Sequence, residues 1–455
     1  MKASTLLSKR SLVKISAIAF WIIIWGALAL FIDSDLIIAS PWKTLETLGA
    51  LVVSASFWKS IAFSFLRITL GFLGALVLGL VTALVSAKIG VVKALLQPIT
   101  SFIKATPVAS FIVLAIIWFG SRNLSIFISF LMAFPIIYLN LLQGVEAQNK
   151  KLLEMAQVFK MGLKNKVLYI QLPQLMPYLV SACSIAMGLC WKSGIAAEVI
   201  GISAGSIGER LYNAKLYFET GELFAWTAVI VLFSTATEKL FMLCLKFAYK
   251  KIIAGAENAK TSPLPHPEKA KIVLDAVDKS YGDDKILQSF SLEIPSGKRL
   301  AVSGKSGAGK TTLTRLILGL EKPTTGEIVT QNASFSAVFQ EDRLLGELSA
   351  VANIKIATGN DGSEILRNFG FTDDLMHKKA SDLSGGEKRR VAIARALLKP
   401  ASVYIFDEPF KGIDNQTLDG AVIPKVNEIT SGKTVILVTH SQDEANAVCD
   451  EEIEI

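Results

Sequence analysis

The sequence predicts an α-helical membrane domain followed, on the same chain, by an α/β domain built around a phosphate-binding loop. Three observations predict it. Residues 17–247 are mostly long, uncharged apolar runs; residues 271–455 alternate between strand and helix patterns; and a segment rich in proline and charge lies between them. The boundaries that follow are 1–253, 254–270 and 271–455. A chain of 455 residues exceeds one ordinary core. Its 51% hydrophobic residues and positive mean hydropathy exceed what soluble chains usually carry.

Charge and cysteine usage narrow the function classes. The net charge is +8, but Lys and Arg gather at the ends of apolar runs, where basic residues orient membrane helices. No dense basic run with interleaved aromatics occurs, so nucleic acid is not an expected partner. The four cysteines are Cys183, Cys190, Cys244 and Cys449, and no pair has a metal-ligand spacing. They read as small side chains in a reducing compartment, outside any disulfide framework. The three histidines are too scattered for a metal cluster.

Six apolar runs are candidate spans: Ile15–Ile32, Ile61–Ser86, Val92–Phe119, Leu124–Val145, Leu175–Trp191 and Leu223–Phe247. The first follows Lys2, Lys9, Arg10 and Lys14, yet no small-residue cleavage site follows it, so an uncleaved span with a cytosolic N-terminus is expected. Gly71, Gly74, Gly79, Pro98, Pro107 and Pro135 lie in or beside these runs. Such residues permit close helix contact or broken helices, or reflect loose composition alone. No charged residue within a span stands out as a solute ligand; Lys192 and Glu198, near the end of the fifth run, are the nearest candidates and read rather as end-capping residues. Six spans put Ala87–Lys93, Glu146–Gln174 and the chain after Phe247 in the cytosol. Those segments hold the basic excess, including Lys88, Lys93, Lys150, Lys151, Lys160, Lys164 and Lys166.

Between the fourth and fifth runs lies a polar, helix-forming insertion, with Gly162 as its expected helix stop. Here the chain resembles the permeases of bacterial ATP-binding-cassette importers, whose cytosolic loop shows Glu-Ala-Ala, a later Gly and then Ile-x-Leu-Pro. The matching residues are Glu154, Met155, Ala156, Gly162, Ile170, Leu172 and Pro173, with Met155 replacing the first Ala. The resemblance implies a type I importer-like permease whose coupling loop, through Glu154, Ala156 and Gly162, docks into the motor domain. Ile103–Gly120, Leu139–Val145 and Ala196–Ala214 resemble the nitrate/sulfonate/taurine group, which includes importers of pyrimidine precursors. Ser110-Phe111 departs from the Pro-Leu-type sequence common there.

Pro263, Pro265 and Pro267, among small and charged neighbours, can neither continue a helix nor pack a core, and they mark the linker. Beyond it a strand pattern ends in Gly304, Lys305, Ser306, Gly307, Ala308, Gly309, Lys310, Thr311 and Thr312, followed by a helical pattern. This strand, Gly-rich loop and helix fit the P-loop. Glycines let backbone N–H groups surround a phosphate, and the helix start adds its positive end. Lys310 is expected on the β- and γ-phosphates, and the Thr311 hydroxyl on Mg2+. Val403–Pro409 is a buried strand ending in two carboxylates. Asp407 is placed to hold Mg2+ and Glu408 to polarise the attacking water.

Leu383, Ser384, Gly385, Gly386 and Glu387 make the resemblance to the ATP-binding-cassette ATPases specific. The resemblance implies that Ser384, Gly385 and Gly386 contact the γ-phosphate of ATP held by the opposite subunit. It also assigns Tyr281 to stacking on adenine, Gln340 to sensing Mg2+ and facing the permease, Asp414 to the dimer interface, and His440 to the γ-phosphate. Alone, His440 would read as a structural histidine. Phe339–Leu345 with Asn353 is again similar to the nitrate/sulfonate ATPases, although Gly346-Glu347 replaces a common Pro-Trp. The chain ends at Ile455, soon after the histidine motif, so an appended regulatory domain is not expected.

The resulting expectation is ATP-driven import of a small organic or anionic solute across the bacterial cytoplasmic membrane. The ATPase lies in the cytosol, and the cofactors are ATP and Mg2+. The partners are the lipid bilayer, a second copy of the chain and an extracytoplasmic solute-binding protein. The alternative is an exporter or flippase half-transporter, which usually has longer charged cytosolic extensions; a third reading is a non-transporting ATPase with a membrane anchor.

Overall fold

The computed structural model describes residues 2–259, 270–305 and 307–455. It divides into two compact units, Met1–Ala147 with Leu175–Phe247, and Gln148–Gln174 with Ala248–Ile455.

The first unit is helical. It contains α1 (Lys2–Ile32), α2 (Pro41–Val52), α3 (Ala55–Lys88), α4 (Gly90–Ala105) and α5 (Val108–Glu146). Most of α8 (Leu172–Gly201), all of α9 (Ile207–Leu216) and the membrane part of α10 (Thr220–Ala254) complete it. Helix starts follow local chemistry. Ser40 caps α2 by accepting from the Lys43 N–H, with Pro41 at the first helical position, and Ser54 caps α3 through the Phe57 N–H. Small residues let α3 and α5 meet closely. A Cβ on Gly71 would lie 2.4 Å from the Ile126 carbonyl oxygen, and one on Gly79 would lie 2.8 Å from Ile137 Cγ2. Gly74 meets Phe130 only at an ordinary 3.5 Å, so two of the three glycines carry this approach. The Tyr138 hydroxyl donates to Ser86 Oγ across the same contact, at 3.1 Å.

Among the described residues, five helices are long and apolar enough to cross a membrane: Ile15–Ile32, Ala55–Lys88, Val108–Glu146, Leu163–Gly201 and Thr220–Asn258. The expected span Val92–Phe119 is not one helix. Thr106 is extended (φ −85°, ψ 131°) because Pro107 excludes the helical region from the residue before it. That ends α4 at 16 residues, about 24 Å of helix. The chain resumes as α5 and kinks at Gly120 (φ 65°, ψ 169°), a conformation open to glycine. Glu198 is fully buried, while Lys192 is exposed. Glu198 Oε2 accepts from Ser64 Oγ at 2.6 Å and from the Gly208 N–H at 3.4 Å. The end it caps is therefore that of α9, rather than of its own helix.

The second unit is α/β. Its antiparallel sheet, in the order β2-β1-β4, holds β1 (Lys271–Tyr281), β2 (Asp284–Ile294) and β4 (Thr325–Gln331). Its parallel sheet runs β5-β6-β7-β3-β8, from β3 (Arg299–Ser303), β5 (Phe335–Val338), β6 (Val403–Asp407), β7 (Thr434–Val438) and β8 (Glu451–Glu454). Strands β6 and β7 are buried along their whole length, as parallel strands covered on both faces must be. The unit's helices are α6 (Lys150–Val158), α7 (Leu163–Asn165), α11 (Lys310–Ile317), α12 (Ala350–Thr358), α13 (Ser363–Asn368) and α14 (Asp373–His377). They continue with α15 (Gly385–Leu397), α16 (Asn415–Thr417), α17 (Ile423–Ile429) and α18 (Gln442–Val448). Residues 248–258 group with this unit, and Ala256 is buried in its core. The Ser349 hydroxyl donates to Glu257 at 2.6 Å. Packed chain thus extends into the stretch expected as linker; Pro263, Pro265 and Pro267 lie outside the described residues.

Candidate functional site

Strand β3 delivers the chain into the Gly-rich loop, and α11 begins at Lys310 directly after it. Gly309 has φ 101°, and a Cβ there would lie 2.9 Å from Ile286 Cγ2, so both conformation and space require glycine. Gly304 and Gly307 also have positive φ. Lys310 is nearly buried, and its Nζ donates to the Gly304 and Lys305 carbonyls at 2.8 and 2.9 Å. The ammonium therefore sits inside the loop that its own backbone forms. Ala308 closes that loop by donating its N–H to the Lys305 carbonyl at 3.2 Å. Ser306, expected as a phosphate ligand, lies outside the described residues. A cavity of about 290 Å3 is lined by Lys310, Thr311 and Thr312 together with Gln340, Asp407 and Glu408, and His440 also borders it.

These residues come from different strand ends, which place them outside the carboxyl edge of one parallel sheet. Asp407 ends β6 and is 95% shielded. Burial pushes its carboxyl up to about 6, while a hydrogen bond from Thr311 pulls the other way. Glu408 has φ 46°, a left-handed conformation uncommon for a side-chain-bearing residue and typical of functional sites. Its N–H donates to the Val438 carbonyl at 2.9 Å, and its Oε1 lies 3.5 Å from His440 Nε2. Lys411 Nζ is 3.6 Å from the other oxygen. One buried carboxylate, one hydroxyl and one amide suit Mg2+, which takes few protein oxygens and completes its shell with water and phosphate. No group of three His, Cys, Asp or Glu residues forms a metal cage among the described residues.

Ser384 caps α15 in a reciprocal box. Its N–H donates to Glu387 Oε2 at 2.7 Å, and its hydroxyl accepts from the Glu387 N–H at 3.4 Å. Gly385 and Gly386 therefore open a helix, and a Cβ on Gly386 would lie 2.7 Å from the Gly412 carbonyl. Asp414 caps α16 by accepting from the Thr417 N–H at 2.9 Å. Tyr281 ends β1 half-exposed, with Lys279 Nζ 4.9 Å above its ring.

The insertion 148–174 packs within the second unit. Glu154 is held by two guanidinium groups, with Arg315 donating to both of its oxygens at 2.7 and 3.1 Å and Arg343 donating at 2.9 Å. The hydrogen bonds from Arg315, foremost, keep the Glu154 carboxyl below its usual range. Met155, Ala156 and Phe159 are buried in the unit's core. The Phe159 ring lies 5.1 Å from the Arg395 guanidinium and 5.0 Å from Lys399 Nζ. Lys399 donates to the Val158 carbonyl, and burial, with Lys160 nearby, pushes its ammonium down to about 7. Gly162 is not the helix stop. Lys160 takes the left-handed position (φ 49°), while the Met161 and Lys160 N–H groups return to the Ala156 and Gln157 carbonyls. This satisfies the helix end two residues early. Gly162 has φ −59°, and a Cβ there meets nothing within 4 Å.

Arg315, Arg343, Arg395, Lys399 and Phe159 escaped sequence reasoning. Their shared neighbours are distant in sequence, so no local pattern joins them.

Residues 287–411 match the ABC transporter family, and residues 75–252 match the binding-protein-dependent transport system inner membrane component. The chain is 37% identical over 201 residues to the aliphatic sulfonates import ATP-binding protein SsuB of Pectobacterium atrosepticum, covering 42% of this chain and 75% of that one. It is 32% identical over 234 residues to the SsuB 1 protein of Rhizobium johnstonii, covering 48% and 82% respectively. A solved dimeric ATP-binding cassette with ADP and Pi aligns with 40% of this chain and 94% of its own, at 27% identity and a TM-score of 0.37. By its family matches and its likeness to the SsuB proteins, the chain belongs to the ATP-binding-cassette transporters, carrying on one polypeptide a permease of the binding-protein-dependent type and an ATPase that couples ATP hydrolysis to transport.

Proposed function

We propose that the chain imports a small organic or anionic solute across the bacterial cytoplasmic membrane, as a homodimer fed by an extracytoplasmic solute-binding protein. Import rests on the permease family and on relatives whose names describe sulfonate import; these leave the exporter reading without support. Sulfonates, nitrate, taurine and pyrimidine precursors are the solute classes to test. In each copy Lys310 and the loop N–H groups hold the phosphates, with Thr311, Asp407 and Gln340 facing Mg2+. The metal supplies neutralisation of phosphate charge. Glu408 orients and polarises the attacking water, and His440, 3.5 Å away, contacts the γ-phosphate.

One observation carries the dimer. The cavity bordered by the P-loop is lined by residues up to His440, and none of Ser384, Gly385 or Gly386 is among its lining residues. A second copy would bring its signature serine and glycines to that cavity, so two copies would form two ATP sites. The test is the mass of the full-length Glu408→Gln protein in detergent with MgATP. A dimer with ATP retained is expected. A wild-type protein that hydrolyses ATP as a strict monomer would sink the proposal. Uptake of labelled taurine, nitrate and pyrimidines into vesicles loaded with ATP, with and without the binding protein, assigns the direction and the solute.

A further inference from the structure

Tyr281 and Glu154 lie far apart in sequence, yet a continuous set of polar contacts joins them. The Tyr281 hydroxyl donates to Glu321 Oε2. Glu321 Oε1 accepts from Arg315 Nε at 2.6 Å, and Arg315 turns both terminal nitrogens toward Glu154. Lys279 completes the set, with its Nζ 3.2 Å from Glu321 and 4.9 Å above the Tyr281 ring. The guanidinium is a rigid planar fork, so a displacement at its Nε edge moves the two Nη atoms with it. Lys279, Glu321, Arg315 and Glu154 have side chains only 13–24% exposed, which limits the screening of the charges between them. Burial pushes Glu321 up, but hydrogen bonds from Tyr281, Arg315 and Lys279 outweigh it and keep the carboxylate ionised.

We propose that Glu321 is a positioning residue that transmits occupancy of the base platform at Tyr281 to the seating of the segment around Glu154. The inference rests on the reading of Tyr281 as the surface that stacks the nucleotide base. A base settling on the ring fixes the direction of its hydroxyl. Glu321 follows the hydroxyl, and Arg315 then holds Glu154 in one arrangement. The phosphate contacts of the P-loop do not pass through Glu321, so the residue bears on the segment more than on ATP affinity.

The test uses the full-length Glu408→Gln protein in nanodiscs, where bound ATP is not consumed. Backbone hydrogen exchange over residues 150–158 is measured with and without ATP, beside ATP affinity. ATP is expected to slow exchange there by about five-fold or more, the low end of ordinary coupling between sites. Adding Glu321→Gln should cut that slowing to below about two-fold while ATP affinity changes by less than about three-fold. Tyr281→Phe, which keeps the ring and removes the hydroxyl, should lose the same response. The two changes combined should lose no more than either alone, since they break one path. Unaltered slowing in Glu321→Gln, or losses that add in the double variant, would overturn the relay alone. Absence of ATP binding in the parent protein would instead overturn the nucleotide reading of the site, and the relay with it.

Discussion

Replacing Phe159 with alanine should release the segment 148–174 from the second unit. The ring is fully buried, at the end of α6, in the same cluster that holds strands β6 and β7. Truncating a core phenylalanine costs about 3–5 kcal/mol in transfer and cavity terms. The contacts with Arg395 and Lys399, at 5.1 and 5.0 Å, place the site toward the upper part of that range. Since about 1.4 kcal/mol is a factor of ten, opening of the segment should become easier by about three to three and a half powers of ten. Hydrogen exchange of the full-length protein reads this directly. Amides of residues 155–170 should exchange at least about a hundred-fold faster, while those of β3, β6 and β7 keep their protection. Phe159→Leu retains most of the volume and should give a much smaller change. If Phe159→Ala alters exchange in 155–170 by less than about three-fold, the ring does not hold the segment and the reasoning is refuted. Equal acceleration of β6 and β7 would make Phe159 an ordinary core residue.

Glu408→Gln should preserve ATP binding and lower kcat by about a hundred-fold or more, measured by phosphate release; near-normal turnover would remove Glu408 from the chemistry. Lys160→Gly should raise thermal stability by about 0.5–1 kcal/mol, because Lys160 holds a left-handed conformation (φ 49°) that glycine adopts freely. Gly162→Ala should be nearly neutral, since φ is −59° and the added Cβ meets nothing; strong destabilisation would contradict a helix end at Lys160. Lys399, held near 7 in the fold, binds a proton less tightly there than in the unfolded chain. Between about pH 7 and 10 the unfolded chain therefore carries more protons, and stability should rise with pH by about 2 kcal/mol from pH 7 to 9. The gain is absent below pH 7, where both states carry the charge. Lys399→Met should flatten this slope in thermal unfolding, and an unchanged slope would assign it to other groups.

Much of this protein is determined by its sequence alone. The apolar runs and the P-loop, with its preceding strand and following helix, are local patterns. They arise from side-chain hydropathy over consecutive residues and from glycine's freedom at fixed positions, so a single chain displays them. The Ser384 box is equally local, because its donor and acceptor lie three residues apart. The break at Thr106–Pro107 was visible as a proline, but its effect on the span count was not, since helix length depends on the chain on both sides. Glu408 could be named from its strand, whereas its positive φ could not, because that strain persists only when surrounding packing imposes it.

Tertiary structure decided the rest. Glu154 was picked out by its motif, but Arg315 and Arg343 lie 161 and 189 residues away, and no local period connects them. Glu198 read as an end-capping residue; folding buried it completely and turned it toward Ser64, 134 residues distant, and the start of α9. The hydrophobic pattern of a segment states which face seeks burial, and only the folded chain states against which charges. That is why the residues holding the segment 148–174 emerge from the structure, while the P-loop pattern was already written in consecutive residues.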